Sequence, residues 1–324
     1  MTDKPLDLKP ADQVEILTLV DNYTDLLIPN DERVTRPPLT YGEPVLPTDT
    51  LLAEQGLSLL VTVRRGQEEH VIMLDAGYSQ VALTHNMDLL GIDAAGIEAI
   101  VISHGHMDHT GSLPAILERI GRPVPVVVHP EAFFSPRYFY LPDGGRYSFP
   151  LTLDRQELER LGAELIVSAD PSLLADETIL VTGQVPRVTP FEQAMPNTML
   201  ERDGQLERDL IIDDQAIVIH LKGQGLLVIS GCAHSGIINT ILYAQEITGQ
   251  SEIYLAMGGF HLTRADPEKV IEPTVAEMER FSPRMVVPMH CTGWAAINRF
   301  AEAFPSAFAL NTVGARIKLP LPPS

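Results

Sequence analysis

Two hydrophobic rhythms alternate along the chain. Compact apolar runs at Glu15–Val20, Leu57–Arg65, His70–Asp75 and Glu98–Ser103 read as strands, and Gly66 turns the second into the third as a hairpin. Apolar residues three and four apart mark helices at Gln80–Leu90, ended by Gly91, and Ser112–Ile120, ended by Gly121. Pro125–His129 and Glu164–Ser168 read as strands again. The second half repeats the style. Gln215–Leu221 and Leu226–Ser230 form a hairpin, followed by helix Gly236–Thr248, strand Glu252–Met257, helix Pro267–Phe281, strand Met285–Met289 and helix Trp294–Ala303. Strand pairs followed by strand–helix alternation, occurring twice, predict an α/β architecture. Two sheets pack face to face with helices outside, a four-layer αββα sandwich.

Two stretches break the rhythm. Thr35–Thr50 carries Pro37, Pro38, Pro44 and Pro47 and reads as a surface loop. Phe133–Pro150 is aromatic but interrupted by Pro136, Pro142, Gly144 and Gly145, and is either a lid over a pocket or a flap packed on the core. With no solenoid repeat visible, residues 1–324 are expected to form a single domain with loop insertions near 35–50 and 133–150.

Composition narrows the partners. Apolar residues make up 45% and charged residues 20%, a globular balance, while the formal net charge of -20 and the lack of Lys/Arg clusters argue against nucleic acid. No run approaches the roughly 20 apolar residues of a membrane span. The polar start, broken by Pro5 and Pro10, lacks a signal-peptide core, so a cytoplasmic setting is expected. Two cysteines, Cys232 and Cys291, are too few for a disulfide scaffold, yet each lies within two residues of a histidine.

The chemistry concentrates in Ser103-His104-Gly105-His106-Met107-Asp108-His109-Thr110-Gly111. This is H-x-H-x-D-H directly after a buried strand. On a loop leaving a strand, residues two apart can face one side, so His104 and His106 can share one cation. Asp108 and His109, at the start of the next turn, can face a second. Gly105 and Gly111 allow the tight path. Imidazole suits Zn, and the carboxylate widens tolerance to Mn or Fe, so two divalent ions are expected, Zn first.

The same segment resembles the signature of the metallo-β-lactamase superfamily. Leu74-Asp75-Ala76-Gly77 resembles its strand-end aspartate–glycine turn. Thr182-Gly183-Gln184-Val185-Pro186-Arg187, Gly231-Cys232-Ala233-His234-Ser235-Gly236, Gly258-Gly259-Phe260-His261-Leu262 and His290-Cys291-Thr292-Gly293 are similar to its dihydropterin ribofuranosylaminobenzene phosphate synthase-like branch. The resemblance runs from about Val20 to Lys318 and implies the metallo-β-lactamase fold with a dinuclear site. On it, His234 completes a three-histidine set with His104 and His106, and His290 joins Asp108 and His109. The superfamily usually places a bridging aspartate after a glycine on such a strand. Here Gly231 is followed by Cys232, which either bridges as a thiolate, lies beside the site, or packs as a small apolar residue. His261 is an alternative ligand to His234 or an acid/base facing substrate.

Around these, Asp75 reads as the acceptor that orients a ligand histidine, and Asn22 as a strand-end residue lining the site. Arg187 and Arg137 are candidates for an anionic substrate group, and Tyr140, like His261, for protonating the leaving group. His70, His85, His129 and His220 read as packing or surface residues, with His129 the nearest to the aromatic segment. The expected function is hydrolysis of a small ester, lactone or phosphodiester by metal-activated hydroxide, with Asp108 orienting the nucleophile. The alternatives are a diiron redox or transferase enzyme on the same fold, and a metal-stabilised small-molecule binding protein.

Overall fold

The computed structural model describes residues 5–38, 40, 45–141, 143–263 and 267–322. Pro44 of the proline-rich stretch and Pro142 of the aromatic one lie outside them. Eight strands form the first sheet, in the order Val34–Thr35, Arg316–Leu319, Gln13–Val20, Ser58–Arg65, Glu68–Leu74, Ala99–Val101, Val124–Val128, Ala163–Val167. Six form the second, in the order Ser172–Leu174, Ile179–Val181, Ala216–Leu221, Gly225–Ser230, Ile253–Gly259, Met285–Met289. The expected αββα sandwich is what the chain adopts.

Its layers follow from which side chains each strand buries. One apolar cluster joins the facing sides of both sheets, with Ile16, Val61 and Ile72 from the first against Ile217, Ile229 and Val287 from the second. A second cluster packs the outer face of the first sheet, through Met73 and Val126, against Leu83, Met87, Ile116 and Leu117 of helices Gln80–Leu90 and Leu113–Ile120. A third packs Val228, Ala256 and Val286 against helices Ile237–Thr248, Glu268–Phe281 and Trp294–Ala303. Strands such as Gly225–Ser230 are buried at every position because both faces are covered. Helix Gln80–Leu90 starts where Ser79 Oγ accepts from Ala82 N and stops where Gly91 turns left-handed at φ 67°.

Strand direction matters most for function. Gly225–Ser230, Ile253–Gly259 and Met285–Met289 are mutually parallel, and so are Glu68–Leu74, Ala99–Val101 and Val124–Val128. Their C-terminal ends therefore emerge on common edges, where parallel sheets hold ligands.

The aromatic segment is neither a bare loop nor one long element. Arg137–Tyr140 and Arg146–Ser148 join Thr198–Arg202 and Gln205–Arg208 in a separate four-stranded sheet. Those partners, some sixty residues away, were invisible to local pattern. Strand Arg316–Leu319, paired with Gln13–Val20, was likewise too short to stand out. No described helix is long and apolar enough to cross a membrane.

Candidate metal centre

His104 to His109 lie between the buried strand Ala99–Val101 and helix Leu113–Ile120, with Met107–Thr110 already one helical turn. The conformational freedom expected of the glycines is not used: neither Gly105 nor Gly111 takes a positive φ, and at Gly111 it is -63°. There a Cβ would overlap the carbonyl oxygen of Tyr78, so the residue is bare for closeness, not conformation. Gly231 serves the same purpose across the sandwich, because a Cβ there would collide with Ser103 Oγ.

The donors converge. Ring centroids of His104 and His106 are 4.5 Å apart, those of His104 and His234 4.7 Å, and those of His106 and His234 4.9 Å. On the neighbouring side, His109 and His290 rings are 4.9 Å apart. Asp108 Oδ2 lies 3.8 Å from His109 Nε2 and 3.5 Å from His290 Nε2. Cys232 Sγ is 3.1 Å from His109 Nε2. It belongs to three close donor groups, His104–Cys232–His234, His109–Cys232–His290 and Cys232–His261–Cys291, each with its ligand atoms within 4.8 Å of one another. His261 thus joins the cluster, its ring 4.3 Å from that of His234.

Partners behind the rings aim them. Asp75 Oδ2 takes His109 Nδ1 at 2.6 Å and also accepts from Ser103 Oγ at 2.7 Å, while Asp75 Oδ1 accepts from Ser103 N. Ser103 Oγ also lies 3.0 Å from His104 Nδ1. Asn22 Oδ1 meets His290 Nδ1 at 3.1 Å, and Asn22 Nδ2 donates to the His290 carbonyl. Each contact leaves Nε2 facing the centre, an arrangement typical of metal-binding histidines. Nε2 of His104, His106 and His290 and both ring nitrogens of His234 are buried with no hydrogen-bond partner among the described residues. Orphaned buried nitrogens cost free energy unless something else engages them.

The electrostatics divide the donors into three neutral histidines and an ionised Asp108, ready to ligate, and a protonated His109 and Cys232 thiol, which would release protons to a cation. Burial holds His104 and His234 well below the ordinary histidine range and takes His106 to about 4, so all three are neutral donors at pH 7. Burial opposes the ionised form of Asp108, but His109 and His290 outweigh it and lower its pKa. For His109, burial lowers and Asp75 and Asp108 raise, to a net of about 9. Burial pushes the Cys232 thiol up.

Other expected residues fall elsewhere. Arg187 donates to the carbonyls of Leu210 and His234 and so is spent on the backbone beside the centre. Arg137 is buried against Asp213 at 3.0 Å and Asp209 at 3.5 Å. Tyr140 pairs through its backbone N–H and carbonyl with Asn197. His129 caps a turn, its Nδ1 accepting from Glu131 N.

Four contributors were not singled out from the sequence. Ser103 stands in the motif without a role legible from type. Phe149 sets its ring 4.9 Å from His106. Asp213 accepts from Gly105 N and Asp214 from Ser235 N, each at 2.8 Å, so adjacent acids brace the two ligand loops. The pair Asp213-Asp214 before a buried strand is the one hint the sequence offered.

A family model of the metallo-beta-lactamase superfamily matches residues 52–230, more than half of the chain. The chain belongs to that superfamily. A 7,8-dihydropterin-6-methyl-4-(beta-D-ribofuranosyl)-aminobenzene-5'-phosphate synthase of Methanocaldococcus jannaschii is 27% identical over 97% of this chain and 99% of its own length. An uncharacterised protein of the same archaeon is 31% identical over 77% of this chain and 88% of its own. The crystal structure of Tm1679, a metal-dependent hydrolase of the beta-lactamase superfamily, superposes with a TM-score of 0.70 at 25% identity, covering 94% of this chain and 98% of that one. As a member of the superfamily, this chain carries a metal-dependent hydrolase fold, and the branch expected from its second-half segments is the one its named archaeal relative represents.

Proposed function

We propose that this chain is a metal-dependent hydrolase of a small ester, lactone or phosphodiester, working with two divalent cations, zinc foremost. The supporting observation is the convergence on Cys232 of buried imidazole nitrogens that lack hydrogen-bond partners among the described residues, with Asp108 Oδ2 3.5 Å from His290 Nε2. That donor set fits borderline-soft cations: imidazoles, one carboxylate and one thiol within reach of both sides, with His109 giving up its proton when a cation binds. His104, His106 and His234 would hold one ion, and Asp108, His109 and His290 the other, with Cys232 between them. Bound there, the cations supply Lewis acidity and an activated water near neutral pH.

The chain's own residues do the rest. Asp75 and Asn22 fix the rings of His109 and His290, so the donors need no rearrangement when cations arrive. Asp108, held ionised, can orient a nucleophile as well as ligate. Phe149 covers His106 on one side and restricts the approach to it. The Asp108→Ala variant tests the reading. Elemental analysis is expected to show a lost equivalent of metal, and turnover of generic esters and phosphodiesters is expected to fall by on the order of 10²–10⁴-fold. Unchanged metal content and turnover would sink it.

A second reading, transfer to an acceptor other than water, is favoured by the name of the full-length archaeal relative. Isotopically labelled water separates the two. Label in the product supports hydrolysis, and its absence supports transfer.

A further inference from the structure

Cys291 and His261 stand at the edge of the centre and are not needed for the two histidine-rich sets. Cys232, His261 and Cys291 nevertheless place their ligand atoms within 4.8 Å of one another. Cys232 is buried, whereas His261 and Cys291 are half-buried. Three features of the backbone build it. Gly259 is bare where a Cβ would lie 2.6 Å from Cys291 Sγ. Cys291 Sγ reaches to 3.6 Å from the Cys232 carbonyl oxygen. His261 and His290 both hold a left-handed φ, 45° and 49°, a conformation that non-glycine residues keep mainly where surrounding structure imposes it, often at functional sites.

We propose that Cys232, His261 and Cys291 form an additional cation position, a thiolate-rich corner adjoining the dinuclear centre and selective for soft thiophilic ions such as zinc, cadmium or copper(I). Two thiolates and one imidazole match the soft end of the ligand scale, unlike the imidazole–carboxylate side at Asp108. Three protein donors leave a fourth coordination position for a further ligand. A thiolate sulfur bridges two cations readily, so Cys232 serves the corner and one histidine set together. The assignment gives His261 to the cation and withdraws it from protonating a leaving group. It does not depend on the hydrolytic reading, since the test reads metal and not turnover.

Metal-free, reduced full-length protein is titrated with cadmium. Equilibrium dialysis counts the ions, and the near-ultraviolet cadmium–thiolate absorption counts the sulfurs engaged. In the wild type both thiols are expected to contribute. Cys291→Ser is expected to halve the band and lose one equivalent of cadmium, while His261→Ala keeps the band and weakens the last equivalent at least tenfold. An unchanged band and stoichiometry in Cys291→Ser overturns the corner. A second measurement uses no variant. Modification of the half-buried Cys291 thiol by a disulfide reagent is expected to slow at least tenfold once the last equivalent is bound, and an unaltered rate overturns the proposal as well.

Discussion

His104, His106, Asp108 and His109 come from one continuous loop, whereas His234, His261 and His290 each come from the end of a different strand. The contiguous half is braced by charge. Asp75 contacts His109 and Ser103, and Asp213, paired with the Arg137 guanidinium, holds the Gly105 amide. The dispersed half is braced by neutral or lone groups. Asn22 holds His290, and Asp214, which has no ion-pair partner among the described residues, holds the Ser235 amide. The dispersed half also carries backbone strain, with Ala233, His261 and His290 at φ 49°, 45° and 49°. One half is preorganised by its own loop. The other exists only because three parallel strands end together.

The adjacent acids Asp213 and Asp214 break this comparison most sharply. Burial disfavours the charge on both, but Arg137 and the Gly105 amide bring Asp213 below the usual carboxylate range, while burial takes Asp214 up to about 6. Asp213→Ala leaves Arg137 buried with less counter-charge, so it is expected to destabilise the protein by about 3–5 kcal/mol in denaturant unfolding.

Asp214→Asn is expected to act in the opposite direction on metal-free protein. A carboxyl raised in the folded state contributes its full stability below the unfolded value near 4. That contribution is lost as pH rises towards 6, because only the unfolded chain ionises in that window. At pH 7 the variant should therefore be more stable than the wild type by on the order of 1–3 kcal/mol, and by much less at pH 4. Unfolding curves at the two pH values check this, and a variant less stable at pH 7 would contradict it.

The orienting residues sharpen the comparison further. Asp75→Asn is expected to weaken metal binding by roughly 10–100-fold, and Asn22→Ala by an amount near the lower end of that range, since Asn22 is neutral and more exposed. Competition against a chelator of known affinity measures both, and an equal or reversed order would erase the distinction between the halves. The smallest effect belongs to Phe149→Leu. Losing the edge-to-face contact with His106 is expected to cost about 0.5–1.5 kcal/mol, read as a shift in the unfolding midpoint.

Legibility followed the same division. The strands and helices that deliver the centre stood out because each buries a long, regular apolar face. Helix Gln80–Leu90 and strand Met285–Met289 were read to the residue. The small sheet carrying Phe149 did not stand out, because its strands of three to five residues pair across a long gap. His261 was left competing with His234, yet the fold brings both into one cluster with Cys232 between the sets.

By itself the sequence determined the layered architecture and the loop His104 to His109, since apolar periodicity and ligand spacing are local properties carried within a few residues. Only the tertiary structure decided what meets that loop: Cys232 at the hub, which ring Asp75 and Asn22 each hold, and Asp213 and Asp214 beneath the two ligand loops. Those contacts span tens to hundreds of residues. They arise because parallel strands bring distant C-terminal ends to one edge, and no local pattern encodes which ends will be neighbours.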